Sequence, residues 1–315
     1  MQVLVTGANG FVGRSLCLAL PDDGHKVLAA VRSLDKQFIG VDQVLITSIG
    51  KTTDWSSALQ NVDVVVHLAA RVHVMNEVAV DALAEFRKVN VEGTLNLAMQ
   101  AAKAGVKRFI FISSIGVNGN ATNIGYPFSE DSTSQPHDPY SVSKHEAEQL
   151  LHKLAKETGL EIVIIRPPLV YGYGAPGNFE KIINALKTSI PLPLGAIHNK
   201  RSFVYVGNLV SLIVRCIDHP AAANQVFLVS DGHDLSTTEL LQKCALALGV
   251  KARLLPVPQK FLAFSLALLG KRAVAQRLCG NLQVDINKAR ILLDWVPPVS
   301  VEDGLKATAL GLIES

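Results

Sequence analysis

A chain of 315 residues is long enough for a main domain and a smaller companion, and 49% hydrophobic with 18% charged residues excludes a disordered protein. The formal net charge of +3 comes without any block of Lys or Arg that would form a nucleic-acid stripe, so no nucleic-acid partner is expected. Cys17, Cys216, Cys244 and Cys279 are far apart and make neither a CxxC pair nor a metal-ligand spacing, which reads as buried thiols in a reducing cytoplasm and no metal.

The opening MQVLVTGANGFVG is a strand-like run broken by Gly7, Gly10 and Gly13 and followed by a helix-like segment. That order of strand, tight turn and helix lets backbone amides at a helix N-terminus approach a pyrophosphate. Met1 leads straight into the strand, with no basic and apolar leader of the secretory type. Apolar runs of strand length recur at 2–6, 26–31, 43–46, 62–68, 106–112 and 161–166, between stretches of helical periodicity at 11–20, 54–60, 80–104 and 139–158. Alternation of this kind specifies an α/β fold with a doubly wound parallel sheet, the Rossmann arrangement. Ligands of such sheets bind beyond the carboxyl ends of the strands, where Gly7, Arg32, Ala69, Ala70, Ser113 and Ser114 fall.

The second strand, HKVLAAVRS, ends in Arg32 where NAD-binding folds usually carry an acidic residue. A guanidinium there suits the 2′-phosphate of NADP, which makes NADP the expected cofactor. The alternative is NAD, with Asp35 folding back onto the ribose.

Tyr140 and Lys144 lie four apart in DPYSVSKHEAEQLLHKLAKETG, one turn apart on one helical face. Asp138 is a good N-cap and Pro139 fits the first helical position, so Tyr140 falls in the first turn. The ammonium and the helix dipole are both expected to lower the phenol's pKa toward the range useful for proton transfer.

After Pro167 the texture changes to YGYGAPGNF, IPLPLG and shorter elements, with VFLVSDG at 226–232 returning to the sheet. The expected organisation is a dinucleotide-binding domain over 1–170 with 202–231, and an interleaved substrate domain from 171–201 and 232–315. The longest apolar stretch, FLAFSLALLG at 261–270, is too short to span a bilayer and reads as a core helix, with contact to a membrane surface as the minor alternative.

TGANGFVG, VDVVVHLAA, VNVEGTLNL, FIFISSIGVNG, YSVSK, RPPLVYG and RSFVYVGNL follow one another in an order that resembles the extended short-chain dehydrogenase/reductase family, in its branch of nucleotide-sugar epimerases, dehydratases and reductases. The resemblance runs nearly end to end. It implies that Tyr140 is the acid/base, that Lys144 lowers its pKa and holds the nicotinamide ribose, and that Ser114 hydrogen-bonds the reacting oxygen, with Ser113 able to share that role. It implies a dinucleotide site lined by Gly7, Asn9, Gly10, Phe11, Val12, Gly13, Leu68, Ala69, Ala70 and Pro167, with Asn90 supporting the active-site geometry. Asn178 and Arg201 resemble the pair that meets a sugar-nucleotide diphosphate, and Arg277 is a candidate nucleotide contact. Ser202 and Asn208 stand where the family usually has aspartates. His67 reads as a packed, satisfied histidine, while His73 and His137 lie near the cleft without a catalytic role.

The activity this resemblance implies is NADP-dependent reduction of a UDP-4-keto-6-deoxy-N-acetylhexosamine in surface-polysaccharide synthesis. Its alternative is a UDP-hexose 4-epimerase, for UDP-glucose or UDP-N-acetylglucosamine, with tightly bound NAD. A non-catalytic nucleotide-binding relative ranks below both, and a dehydratase is disfavoured because ISSIGVNG lacks the Asp–Glu acid pair. The family also implies a cytoplasmic homodimer formed through the helices at 80–104 and 139–158, packed as a four-helix bundle.

Overall fold

A computed structural model describes residues 1–311 except 37, 39, 73–80, 177 and 189; the side chains of 178 and 180 also lie outside the description. His73 therefore falls outside the described residues.

Seven strands form one sheet: β1 (Gln2–Thr6), β2 (Lys26–Val31), β3 (Asp42–Leu45), β4 (Val64–His67), β5 (Arg108–Ile112), β6 (Glu161–Arg166) and, after two short strands elsewhere, β9 (Val226–Leu228). Their order is β3-β2-β1-β4-β5-β6-β9, and every pairing is parallel. Runs such as VVVH and RFIFI are buried along their whole length, as strands covered on both faces must be. Alternate residues feed two cores: Val3, Val5 and Ile110 on one face, Leu4, Val65 and Phe109 on the other. The order reverses between β1 and β4, which opens a crevice at their carboxyl ends.

The helices are α1 (Phe11–Ala19), α2 (Ala82–Arg87), α3 (Thr94–Lys103), α4 (Pro139–Thr158), α5 (Asn178–Lys187), α6 (Val206–Asp218), α7 (Thr237–Ala247), α8 (Gln259–Leu268), α9 (Arg272–Cys279), α10 (Asn287–Leu293) and α11 (Val301–Gly311). A third core, built from Tyr171, Phe179, Phe203, Leu241 and Leu305, lies under the short parallel pair β7 (Leu169–Tyr171) and β8 (Phe203–Tyr205) and their neighbours. Ile286, Ala289, Leu293 and Trp295 rejoin the core of the main sheet.

α4 starts as its sequence requires. Asp138 accepts from the Ser141 amide at 2.7 Å, Ser141 Oγ accepts from the Asp138 amide at 3.1 Å, and Pro139 occupies the first turn. Gly159 ends it in the left-handed region at φ 77°.

Three expectations are corrected. No helix forms over 54–60: residues 56–61 make turns, with Asn61 at φ 58° reversing the chain, and Trp55 is tied through its amide to Gln100 at 2.8 Å. The 80–104 helix is interrupted by a π-helical turn over Lys88–Gly93. The apolar α8 is no core helix: none of its residues is buried, and Phe261, Phe264, Leu268 and the following Leu269 are 64%, 67%, 79% and 70% exposed. Its main packing partner is α9, against which the small Ala263 and Ala267 face Ala275, leaving the large side chains outside. No helix among the described residues is long and apolar enough to cross a membrane.

Candidate active site

The glycine turn closes with the Gly10 amide donating to the Gly7 carbonyl at 2.9 Å, and Gly7 sits at φ 69°. A Cβ at Gly13 would lie 2.2 Å from the Gly7 oxygen, and one at Gly7 would lie 2.8 Å from the Ala69 amide. The turn is thus pressed onto the start of α1 and onto the segment after β4, where Leu68 donates to the Thr6 carbonyl at 3.2 Å and Ala69 to Thr6 Oγ1 at 3.3 Å. Asn9 and Gly10 are exposed, Phe11 and Val12 half-buried, and no side chain caps α1. Uncapped amides reached through a bare glycine surface are what a pyrophosphate requires, so these residues fit a dinucleotide.

Behind the turn, His67 is fully buried between Thr6 Oγ1 at 2.7 Å and Thr94 Oγ1 at 2.9 Å. Burial, reinforced by the Lys144 charge, holds its pKa down at about 3, so it is a neutral core histidine as expected.

Asn90 lies in the π-helical turn, buried, and clamps two elements. Its Oδ1 accepts from the Arg71 amide at 2.8 Å, while Nδ2 donates to the Arg71 carbonyl and to Ser143 Oγ, both at 3.0 Å. Ser143 in turn donates to the Tyr140 carbonyl at 2.7 Å. The extra residue of the π turn aims an asparagine at α4, a use of π-bulges common near functional sites.

Ser113 and Ser114 follow β5, held beside β6 by the Ser113 amide on Ile165 at 2.8 Å and the Ile115 amide on Pro167 at 3.0 Å. Ser114 is half-buried and its Oγ accepts from the Gly116 amide at 3.1 Å. Ser113 Oγ is buried without a hydrogen-bond partner among the described residues. A Cβ on Gly116 would come within 3.3 Å of Ser114 Oγ and 3.1 Å of Ser141, so this glycine lets the start of α4 approach the serine.

Lys144 is fully buried, donates to the Ile112 carbonyl at 2.8 Å and lies 4.4 Å from the Phe111 ring centroid. Its Nζ is 5.9 Å from the centroid of the half-buried Tyr140 ring, which Phe86 meets edge-on at 6.0 Å. The expected depression of the phenol's pKa is corrected: burial, with the Asp138 charge adding to it, pushes Tyr140 up to about 12. Burial also brings Lys144 down to about 7, against the pull of Glu148, so near neutral pH its ammonium is a partial charge spent on a carbonyl and a ring.

The glycine turn, the segment 68–70 and the two serines follow the carboxyl ends of β1, β4 and β5, and residues 3–230 match the model of the NAD dependent epimerase/dehydratase family. The chain belongs to this enzyme family. It is 46% identical to the UDP-glucose 4-epimerase of Vibrio cholerae over 100% of its own length and 96% of that protein. It is 31% identical to the N-acetyl-alpha-D-glucosaminyl-diphospho-ditrans,octacis-undecaprenol 4-epimerase of Escherichia coli O157:H7, over 98% and 94% of the two chains. The solved UDP-N-acetylglucosamine 4-epimerase of Bacillus cereus, 21% identical, superposes with a TM-score of 0.82 over 100% of both chains and shares the fold.

Arg32 is exposed after β2, and Asp35 faces Arg14 of α1 at 2.6 Å rather than standing at the strand end. Arg201 is half-buried and donates to the Gly280 carbonyl at 3.1 Å. Burial, with the nearby Arg277 charge, lowers its pKa to about 10. Asn178 opens α5, and its side chain lies outside the described residues. His137 is half-exposed at 3.3 Å from Asp138. Ser202 and Asn208 each bind a carboxylate from a later loop: Ser202 donates to Asp234 at 2.5 Å and Asn208 to Asp231 at 2.7 Å.

Sequence reasoning missed the support behind Lys144. Glu148 and Arg166, both buried, pair at 2.6 Å, and Arg166 also donates to Asn118 at 3.0 Å. Glu148 lies four residues after Lys144 on the same helical face, a signal readable in KHEAE.

Proposed function

We propose that this chain is a UDP-hexose 4-epimerase working with a retained NAD. The observation that carries this reading is the near full-length relationship to the Vibrio cholerae 4-epimerase, at 46% identity, over a chain that carries Ser114, Tyr140 and Lys144. The glycine turn, the segment 68–70 and Pro167 would hold the dinucleotide, and Lys144 would meet its nicotinamide ribose. When bound, that group supplies a hydride acceptor that can return what it took. The chain's own part is to manage the oxygen at C4. Tyr140 moves its proton, first away and later back, and Ser114 hydrogen-bonds the same oxygen while charge changes on it. The sugar must turn over between the two hydride steps, so it is anchored at its far end, where Arg201 and Arg277 bring two guanidiniums to a diphosphate.

The Vibrio cholerae and Escherichia coli relatives are each named for a sugar on a diphosphate, the first UDP-linked and the second polyprenyl-linked. The UDP sugar is the substrate proposed here, in a homodimer formed through α3 and α4, which lie side by side in the protomer.

A second reading keeps one observation behind it. β2 is followed by the exposed Arg32 and carries no acidic residue at its carboxyl end, which favours NADP and reduction of a UDP-4-keto sugar. Mass spectrometry of what the purified protein releases on denaturation separates the two. Stoichiometric NAD supports the epimerase; an empty protein, or one holding NADP, supports the reductase.

A further inference from the structure

The segment 251–280 carries Lys251, Arg253, Lys260, Lys271, Arg272 and Arg277 and no Asp or Glu. None of the six forms an ion pair among the described residues. Six positive charges exceed the formal net charge of +3 of the entire chain, so the rest of the protein is net acidic and this segment is its basic pole. The same segment holds the exposed Phe261, Phe264, Leu268 and Leu269, between 64% and 79% exposed. A helix of ten residues is about 15 Å long, half of what a bilayer crossing needs, so α8 is suited to lie in a surface rather than to pass through it. Large exposed apolar side chains along α8, with the exposed Lys260 at its start and the exposed Lys271 and Arg272 just beyond its end, match the interfacial zone of a membrane with acidic headgroups.

We propose that the α8–α9 hairpin docks on an anionic lipid surface and holds the diphosphate end of the active site against it. The link to the site is structural. Gly280, which closes α9, accepts from Arg201 at 3.1 Å and from Asn199 at 2.8 Å, and Gln259 at the start of α8 donates to the Cys279 carbonyl at 2.8 Å. The base of the hairpin is thereby bonded to the arginine assigned to the diphosphate, an assignment that rests on the function proposed above. A second copy of the chain is a poor occupant, because it would set two basic poles against each other across an apolar contact. An anionic bilayer supplies both the apolar layer and the counter-charge, and its attraction weakens with salt.

The test is co-sedimentation of the full-length protein with vesicles of phosphatidylglycerol and phosphatidylcholine, and with vesicles of phosphatidylcholine alone. The expected result is strong recovery with the acidic vesicles, little with the neutral ones, and loss at high salt. The triple variant Phe261→Glu, Phe264→Glu, Leu268→Glu should bind at least ten-fold more weakly. Lys271→Glu with Arg272→Glu should lose the preference for acidic lipid. Both variants should keep the wild-type melting temperature and dinucleotide content, readouts that do not depend on which sugar is turned over. No sedimentation of the wild type, or equal sedimentation of the triple variant, overturns the proposal. So does light scattering in which the triple substitution turns a dimer into a monomer, which would put a second copy on this face. Loss of 4-epimerase activity with vesicle binding intact would instead count against the proposed reaction.

Discussion

Lys144 donates to the main-chain carbonyl of Ile112 at 2.8 Å, tying the first turns of α4 to the end of the strand that delivers Ser113 and Ser114. The lysine therefore joins the two elements that carry the proposed chemistry. Its Nζ lies 5.9 Å from the centroid of the Tyr140 ring, but burial and the Asp138 charge keep that phenol protonated in the unliganded protein. A bound dinucleotide and sugar would have to redistribute these contacts before Tyr140 acts as a base.

Removing the Tyr140 hydroxyl tests the acid/base role. Tyr140→Phe should lower turnover by roughly 10²–10⁴-fold, with the fold and the dinucleotide retained. Steady-state conversion of UDP-glucose to UDP-galactose is the readout, and an unchanged turnover removes Tyr140 from the mechanism.

The burial of Lys144 fixes the sign of a pH effect. Its pKa falls from the ordinary 10.5 to about 7, so between those values the unfolded chain holds a proton that the folded chain lacks. Stability from this group therefore rises with pH through that window, and the full cost of the buried ammonium is felt below about 7. Lys144→Met removes that dependence. Its stability relative to wild type, measured by urea unfolding, should be highest at mildly acidic pH and decline as pH rises toward the ordinary lysine range. A relative stability that climbs with pH contradicts the burial.

Asn90 should behave as a positioning residue. Asn90→Ala removes the hydrogen bonds to the Arg71 main chain and to Ser143 Oγ, at a cost of about 1–3 kcal/mol. With its hold on Ser143 gone, kcat should fall while KM changes little. Asn90→Asp, which can still accept from the Arg71 amide, should recover part of the stability. A rise in KM alone would place Asn90 at the substrate instead.

The pair behind the site is sensitive to losing one partner. Glu148→Ala strands the Arg166 guanidinium in the core and should cost about 3–5 kcal/mol in urea unfolding. A change below about 1 kcal/mol would mean that water or another group reaches Arg166.

The glycine turn, six strands, the Asp138 N-cap of α4 and the satisfied His67 were legible in the sequence because each follows from local pattern: alternation, φ or capping preference, or an apolar run with one polar residue. What escaped depends on partners distant in sequence. Trp55 is drawn into the core and onto Gln100, so its segment makes turns instead of a helix. The π turn at Asn90 is fixed by contacts to Arg71 and Ser143, invisible to a 3.6-residue period. α8 has the composition of a core helix, and only the tertiary structure reveals that it packs mainly on α9 and has none of its residues buried. The raised pKa of Tyr140 escapes sequence reasoning because spacing places an ammonium near the ring but does not reveal the burial of the phenol, which together with the Asp138 charge sets the sign. Choice of reaction lay beyond the residues altogether, since reductase and epimerase share the same serine, tyrosine and lysine.

The most direct test of the central claim is to incubate the purified protein with UDP-glucose and no added cofactor, and to follow the C4 configuration by proton NMR. The expected result is an equilibrium mixture of UDP-glucose and UDP-galactose reached over many turnovers, with no free reduced dinucleotide appearing. No galactose epimer, together with consumption of added NADPH on a UDP-4-keto sugar, would contradict it and establish the reductase.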